Sequence, residues 1–254
     1  MELVSIITPA YNSEKFISET INSVIAQTYQ NWEMIIVDDC STDGTSEIIA
    51  SFQKKDSRIK YFCNATNKGV ATSRNIALQK ANGKWIAFLD SDDVWFPEKL
   101  EKQIVFMKKN NYHFSYTNYC EIDKKSKEIG VLLTGPKTIT KNKMLAYCWP
   151  GCLTIMYDAE FLGLMQCANI KINEEYALWI KISEKTDCHL LNENLAKYRR
   201  HNDSLTSRSY IELIKWHYLM FRIAEKKNVL SSLSLTLENI FFGIFKKIHY
   251  RKRY

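Results

Sequence analysis

The chain has 254 residues, 46% of them hydrophobic and 13% aromatic, enough to bury a sizeable core and to exclude wholesale disorder. The formal charge of +7 is uneven: residues 246–254 carry Lys246, Lys247, Arg251, Lys252 and Arg253 with no acid, which favours an anionic partner. The seven cysteines are scattered and form no CxxC pair, so zinc-site spacing is missing and free thiols in a reducing cytoplasm are expected; no apolar run is expected to approach the ~20 residues of a membrane span, and no signal peptide is expected.

Leu3 to Thr8 reads as a strand, followed by Pro9-Ala10-Tyr11-Asn12-Ser13, where Ser13 or Asn12 is placed to cap a helix with apolar positions Phe16, Ile17, Ile21, Val24 and Ile25. Trp32 to Val37 is a second strand ending in Asp38-Asp39, and the turn-rich residues 40–44 lead to a helix through Ile48, Ile49 and Phe52. Ile59 to Cys63 is a third strand, and Asn67-Lys68-Gly69 opens a helix over 70–81 that carries Arg74. Trp85 to Leu89 is a short apolar run between Gly83 and Pro97, as expected of a strand buried on both faces, and it ends in Asp90-Ser91-Asp92-Asp93.

Strands alternating with helices at this spacing predict parallel βαβ units with right-handed crossovers. In such a sheet the segments after the strands gather at one edge, where open α/β sheets bind ligands. Thr8–Tyr11, Asp38–Asp39 and Asp90–Asp93 therefore meet in one crevice. By itself Asp-Ser-Asp-Asp equally suits a solvated turn before a helix, since acids favour a helix N-terminus. Its carboxylates also suit Mg²⁺ or Mn²⁺, which are hard cations that take oxygen ligands. Neither GxGxxG nor GxxxxGK[ST] follows the first strand, so dinucleotide and P-loop cradles are disfavoured and phosphate would need a metal and cationic side chains.

The run Val4–Asn12, the segment 32–43, Asn67-Lys68-Gly69-Val70-Ala71 with Arg74-Asn75, and Phe88 to Asp93 together resemble family 2 glycosyltransferases. Asn173-Glu174-Glu175-Tyr176-Ala177-Leu178-Trp179 resembles the family's acidic pair followed by Leu-Trp, and Tyr198-Arg199-Arg200-His201-Asn202 its late Tyr-Arg-x-His element. The resemblance covers residues 3 to about 207 in the family's order. It implies an α/β fold of GT-A type, a Rossmann-like mixed sheet flanked by helices. Residues 1–110 would form the nucleotide-sugar half and 111–207 the acceptor half of the same domain, with a helical, basic extension over 208–254.

The same resemblance implies an inverting, metal-dependent hexosyl transfer from a UDP-sugar to an acceptor glycan hydroxyl, as in bacterial surface-polysaccharide assembly on lipid-linked acceptors. Thr8, Tyr11 and Asp39 would hold the uracil, Tyr11 by stacking and Asp39 by accepting from the imide N–H. Arg74 would approach the diphosphate, and Asp90 the ribose or metal-bound water. Asp92, with His201, would ligate Mn²⁺ or Mg²⁺. Glu175 takes the place of the family's base Asp and is one methylene longer, so Glu174 remains a second candidate base. Trp179 is a candidate acceptor platform or a core residue, and Trp149-Pro150-Gly151-Cys152 a candidate acceptor loop.

Two other readings share part of this pattern: a sugar-nucleotide-forming nucleotidyltransferase, which should carry a Gly-rich basic loop in place of Pro9-Ala10-Tyr11-Asn12, and a non-enzymatic basic module binding RNA or membrane. The glycosyltransferase reading expects no nucleic-acid partner. It places the chain in the cytoplasm, with peripheral attachment to the inner face of the plasma membrane through the basic C-terminus and the apolar segment before it.

Overall fold

Side chains on a strand alternate between faces, and along the first, second and fourth strands both alternating sets are apolar. Ile7, Ile35, Val37, Ile86 and Phe88 enter one core, while Ile6, Met34, Ile36, Ala87 and Leu89 enter another on the opposite face. A sheet of this kind must be covered by helices on both sides. The computed structural model of the chain describes residues 1–201 and 210–253 and has that architecture; the expected boundary at 207 lies outside the described residues.

The elements in chain order are β1 (Val4–Ala10), α1 (Ile17–Ile25), β2 (Trp32–Asp38), α2 (Thr45–Lys55), β3 (Ile59–Cys63), α3 (Val70–Gln79), β4 (Trp85–Phe88), β5 (Val94–Trp95) and α4 (Lys99–Asn110). The second half runs β6 (Phe114–Ile122), β7 (Glu128–Leu133), β8 (Thr138–Ile139), α5 (Lys141–Ala146), a 3₁₀ turn at Cys152–Thr154, β9 (Met156–Asp158), α6 (Ala159–Leu162), α7 (Glu174–Ser183) and β10 (Cys188–Arg199). The last elements are α8 (Tyr210–Ile223), α9 (Val229–His249) and β11 (Arg251–Arg253).

The sheet runs β11-β7-β6-β9-β4-β1-β2-β3, with β10 beside β6. Its β3-β2-β1-β4 part is parallel, and antiparallel β9 joins it to the second half. This is the expected mixed sheet, and the parallel strands place the ends of β1, β2 and β4 at one edge.

Three expectations are corrected. The Ser13 side chain does not cap α1; it bonds Ser91 Oγ at 2.7 Å across the crevice, and the helix begins a turn later at Ile17. The basic end is more than an appendix to helices, because β11 pairs with β7 and extends the sheet. An apolar helix long enough to cross a membrane by length and composition does exist: α9 has 21 residues, and its most apolar 18-residue stretch has a mean hydropathy of 1.2, its Ser, Thr, Asn and Glu residues being dispersed among Leu, Ile and Phe.

Gly83, before β4, packs with no room for a side chain. An added Cβ would lie 2.5 Å from Ser5 N and 2.8 Å from Leu3 O, both backbone atoms that cannot swing away. Gly83→Ala should therefore strain the β1–β4 contact and cost about 1–3 kcal/mol. Thermal unfolding would read this as a midpoint lowered by several degrees, and an unchanged midpoint would show that the loop shifts at no cost.

Candidate active site

The site is built from the ends of β1, β2 and β4 on one side and the start of α7 on the other. On the first side, Asp39 follows β2 and is 4% exposed. Its carboxylate accepts from Asn64 Nδ2 (2.7 Å) and Lys68 N (2.9 Å) on Oδ1 and from Gly69 N (2.7 Å) on Oδ2. These bonds hold the loop before α3, which turns through Gly69 at φ +85°, a backbone setting that suits glycine. A carboxylate offers about four acceptor positions, so Oδ2 retains one. Thr8 is fully buried on β1, and its Oγ1 has no hydrogen-bond partner among the described residues. Tyr11, just past β1, is half exposed at the mouth of the crevice.

The Asp-rich turn after β4 is tied down from two directions. Thr20 Oγ1 on α1 donates to the carbonyls of Ser91 (3.0 Å) and Asp93 (2.8 Å). From β10, Arg199 donates its backbone N–H to Asp93 Oδ1 (2.9 Å) and its Nε to the Asp92 carbonyl (2.7 Å). Its remaining nitrogens reach Ser126, the Asp123 carbonyl and Glu19 Oε2, and the side chain is fully buried. Burial, with the Asp92 and Asp90 charges beside it, pushes the Asp93 carboxyl well above the usual range. The outcome is a turn that presents Asp90 and Asp92 to the crevice while Asp93 points inward. Asp92 Oδ2 lies 2.8 Å from His201 Nε2, so the structure brings the two expected metal ligands together.

The centre of the site is Arg74. Its guanidinium donates to Asp90 Oδ1 at 2.5 Å and to Glu174 Oε1, and sits 3.2 Å from Glu175 Oε2, with only 4% of the side chain exposed. Arg74 was expected to approach the diphosphate. Its two Nη groups pair with these carboxylates and its enclosed position orients them, while its buried Nε has no hydrogen-bond partner among the described residues.

The same contacts separate the two glutamates. Glu174 is buried, with 6% of its side chain exposed and facing Arg74, whereas Glu175 keeps 32% open. Burial raises both carboxyls against the opposing pull of Arg74, and Glu175 reaches about 7, helped by the charges of Glu174 and Asp90. Glu175 also accepts from the Cys152 thiol, whose own ionisation is pushed far up by burial and by Asp90 and Glu175. Cys152 Sγ and one oxygen each of Asp90 and Glu175 lie within 4.8 Å of one another. A thiol held neutral is a poor partner for a hard cation. Asp92 with His201, an oxygen and an imidazole donor, fits Mn²⁺ or Mg²⁺ better.

Trp179 is corrected. It is fully buried on α7, edge-on to Phe88 with ring centroids 4.9 Å apart, and has no surface to offer an acceptor sugar. Two contributors had no role in the sequence reading. Arg199 carries a sequence signal, a cation beside Leu195 and Ala196 that must find acceptors if its strand is buried. Cys152 carries none beyond its place in the candidate acceptor loop.

The sequence model of Glycosyl transferase family 2 matches residues 5–159. TuaG of Bacillus subtilis (strain 168), assigned to teichuronic acid biosynthesis as a glycosyltransferase, is 40% identical over 225 residues, covering 88% of this chain and 89% of TuaG. WfgD of Escherichia coli, a UDP-Glc:α-D-GlcNAc-diphosphoundecaprenol β-1,3-glucosyltransferase, is 41% identical over 246 residues, 96% of this chain and 94% of WfgD. The crystal structure of S. aureus TarS 1-349 in complex with UDP-GlcNAc superimposes with a TM-score of 0.71 at 22% identity, covering 94% of this chain and 72% of that one. The parallel strand ends, the Asp-rich turn and the acidic start of α7 thus occur in a chain that belongs to glycosyl transferase family 2, a glycosyltransferase of GT-A fold.

Proposed function

We propose that the chain transfers a hexosyl group from a UDP-sugar to a hydroxyl of a lipid-linked glycan, with inversion and with a divalent cation, in the synthesis of a surface polysaccharide. The observation that carries this reading is the arrangement around Arg74, in which one partly open carboxylate, Glu175, comes within 4.8 Å of Asp90 in the Asp-rich turn. TuaG and WfgD support the polysaccharide context and the lipid-linked acceptor. The TarS complex supports the choice of a uridine nucleotide. Residues 1–110 would serve the donor and 111–207 the acceptor, with the described part of the C-terminal extension, 210–253, lying against the acceptor half.

The roles follow from the geometry. Tyr11 offers an exposed ring for the base to stack on, Asp39 its remaining acceptor position for the uracil N–H, and Thr8 an unsatisfied hydroxyl nearby. Asp90, fixed by Arg74, faces the ribose. Asp92 and His201 would hold Mn²⁺ or Mg²⁺, which when bound supplies positive charge against the diphosphate as UDP departs. Glu175 accepts the acceptor hydroxyl's proton as the oxygen attacks the anomeric carbon. The bond to UDP breaks on the opposite face, so configuration inverts without a covalent intermediate. Glu174 keeps Arg74 in place and takes no proton from the acceptor. The work would be done at the inner face of the plasma membrane, with the basic C-terminus drawn to anionic headgroups.

UDP release measured over a panel of UDP-sugars, with and without Mn²⁺, tests the reading directly. Release should require the cation, and Asp92→Ala should lower it by at least about 100-fold, since a lost metal contact weakens charge stabilisation by several kcal/mol. Near-normal turnover of Asp92→Ala in Mn²⁺ would overturn the metal assignment.

The pH profile gives a second test. A base must be ionised, and burial sets the Glu175 carboxyl at about 7, so kcat/KM should rise with pH through about 7 and level off above it. An acidic limb near the ordinary glutamate range would remove Glu175 from that role.

A further inference from the structure

Helix α9 is built inside out. A surface helix ordinarily turns its apolar stripe inward and its polar face to water. Here Ser232, Thr236, Asn239 and Lys246 are buried, while Leu230, Leu233, Leu237, Phe241, Ile244 and Ile248 are exposed. Those six follow i, i+3 and i+4 spacing, which places them on one stripe along nearly the whole helix. Leu230 is 79% exposed, Leu237 67% and Ile248 69%, and only 22% of the helix's most apolar window is buried. Scattered surface apolar residues need no explanation, but a continuous stripe of large ones does.

The buried polar face shows that this orientation is built rather than incidental. Lys246 Nζ donates to the Trp149 carbonyl at 2.6 Å, and Asn239 Nδ2 donates to Tyr176 Oη at 3.1 Å. Phe242 packs edge-on to Trp149, with ring centroids 5.7 Å apart. Tyr176 directly follows Glu175 on α7, and Trp149 opens the loop that ends in Cys152. The inner face of α9 is therefore fastened to the acceptor-side wall of the cleft.

Both ends of the helix are held by the same domain. Asn228 caps the start through Ser231 N (2.8 Å), in a turn from α8, which packs against α9, and β11 pairs with β7 immediately after the end. A helix anchored at both ends on one body cannot cross a bilayer, but it can lie along one. The charges choose between a lipid surface and a second copy of the chain. Of the five Lys and Arg residues from 229 to 253, Lys246 turns inward and Arg251 pairs with Glu121, but Lys247, Lys252 and Arg253 still outnumber the one acid, Glu238, so two copies meeting here would set cation against cation.

We propose that α9 is an interfacial helix that lies in the plane of an anionic membrane, its Leu230-to-Ile248 stripe sunk among the acyl chains and its opposite face bracing the acceptor-side wall. This refines the membrane contact suggested above, moving the anchor from the basic tail, part of which is an edge strand, to an apolar helix face. Helices of this kind enter to about 5–10 Å, at the boundary of headgroups and acyl chains. A lipid-linked acceptor would then meet Glu175 from the side on which α9 lies.

Full-length protein is sedimented with vesicles of phosphatidylglycerol and phosphatidylethanolamine at 1:3, in 0.1 M and in 0.5 M NaCl, beside the double variant Leu237→Glu/Phe241→Glu and the single variant Leu230→Glu. We expect binding that survives the higher salt, because apolar burial is not screened, and a loss of at least about tenfold in the double variant with UDP affinity unchanged. A wild type that sediments but does not bind UDP supports this proposal and overturns the donor-site reading instead. The proposal is overturned if the wild type stays in the supernatant, if binding vanishes in 0.5 M NaCl, or if both variants sediment like wild type. A dimer in sedimentation velocity that the double variant dissolves would also overturn it, since a second copy would then cover the stripe.

Discussion

A guanidinium buried among carboxylates is the interaction on which the rest of the site depends. Arg74, on α3, faces Asp90 from the end of the next strand, β4, and Glu174 and Glu175 from the start of α7, about a hundred residues further along the chain. A buried charge without its partner costs on the order of 3–5 kcal/mol, so the carboxylates and the arginine hold one another in place. Burial pushes the carboxyls toward their neutral forms and Arg74 opposes it, and Glu175 ends with its carboxyl at about 7, poised for proton transfer near neutral pH. The end of β4 and the start of α7 are therefore coupled through one side chain.

Arg199 performs the parallel task on the other side of the turn. Its fully buried guanidinium collects the Asp92 carbonyl, Ser126 and Glu19, and its backbone N–H holds Asp93, so the turn cannot rotate its carboxylates out of the cleft. Asp92 is left facing His201. Two arginines, one behind each end of the Asp-rich turn, pre-organise a site whose outward groups are nearly all acidic, an arrangement that would otherwise spread by repulsion.

Much of this was legible in the sequence because the physics is local. Continuous apolar runs such as Ile6-Ile7 and Ile35-Ile36 announce strands buried on both faces, and parallel strands force their polar ends to one edge. Asp39, Asp90 and Asp92 could be placed on that basis. What was not legible depends on which side of a helix or loop meets which neighbour. Glu174 and Glu175 are adjacent and chemically alike, and only the position of Arg74 divides them. Trp179 reads equally well as core or as platform until Phe88 is found against it. Nor does a sequence show that three carboxylates surround Arg74. In α9 the spacing of Leu, Ile and Phe reveals an amphipathic helix, yet says nothing of which face turns inward. That was decided by Asn239 and Lys246 finding Tyr176 and Trp149.

The most direct test of the account is the paired comparison of Glu175→Gln and Glu174→Gln, each measured for transfer rate and for UDP-sugar affinity. Glu175→Gln should bind the donor normally and lose about 10²–10⁴-fold in transfer, since an amide keeps the shape and cannot accept the proton. Glu174→Gln should retain substantial transfer and show its defect in thermal stability, because it weakens a buried pair with Arg74. A Glu174→Gln enzyme that folds normally but is inactive, beside an active Glu175→Gln enzyme, would contradict the division of labour that Arg74 imposes.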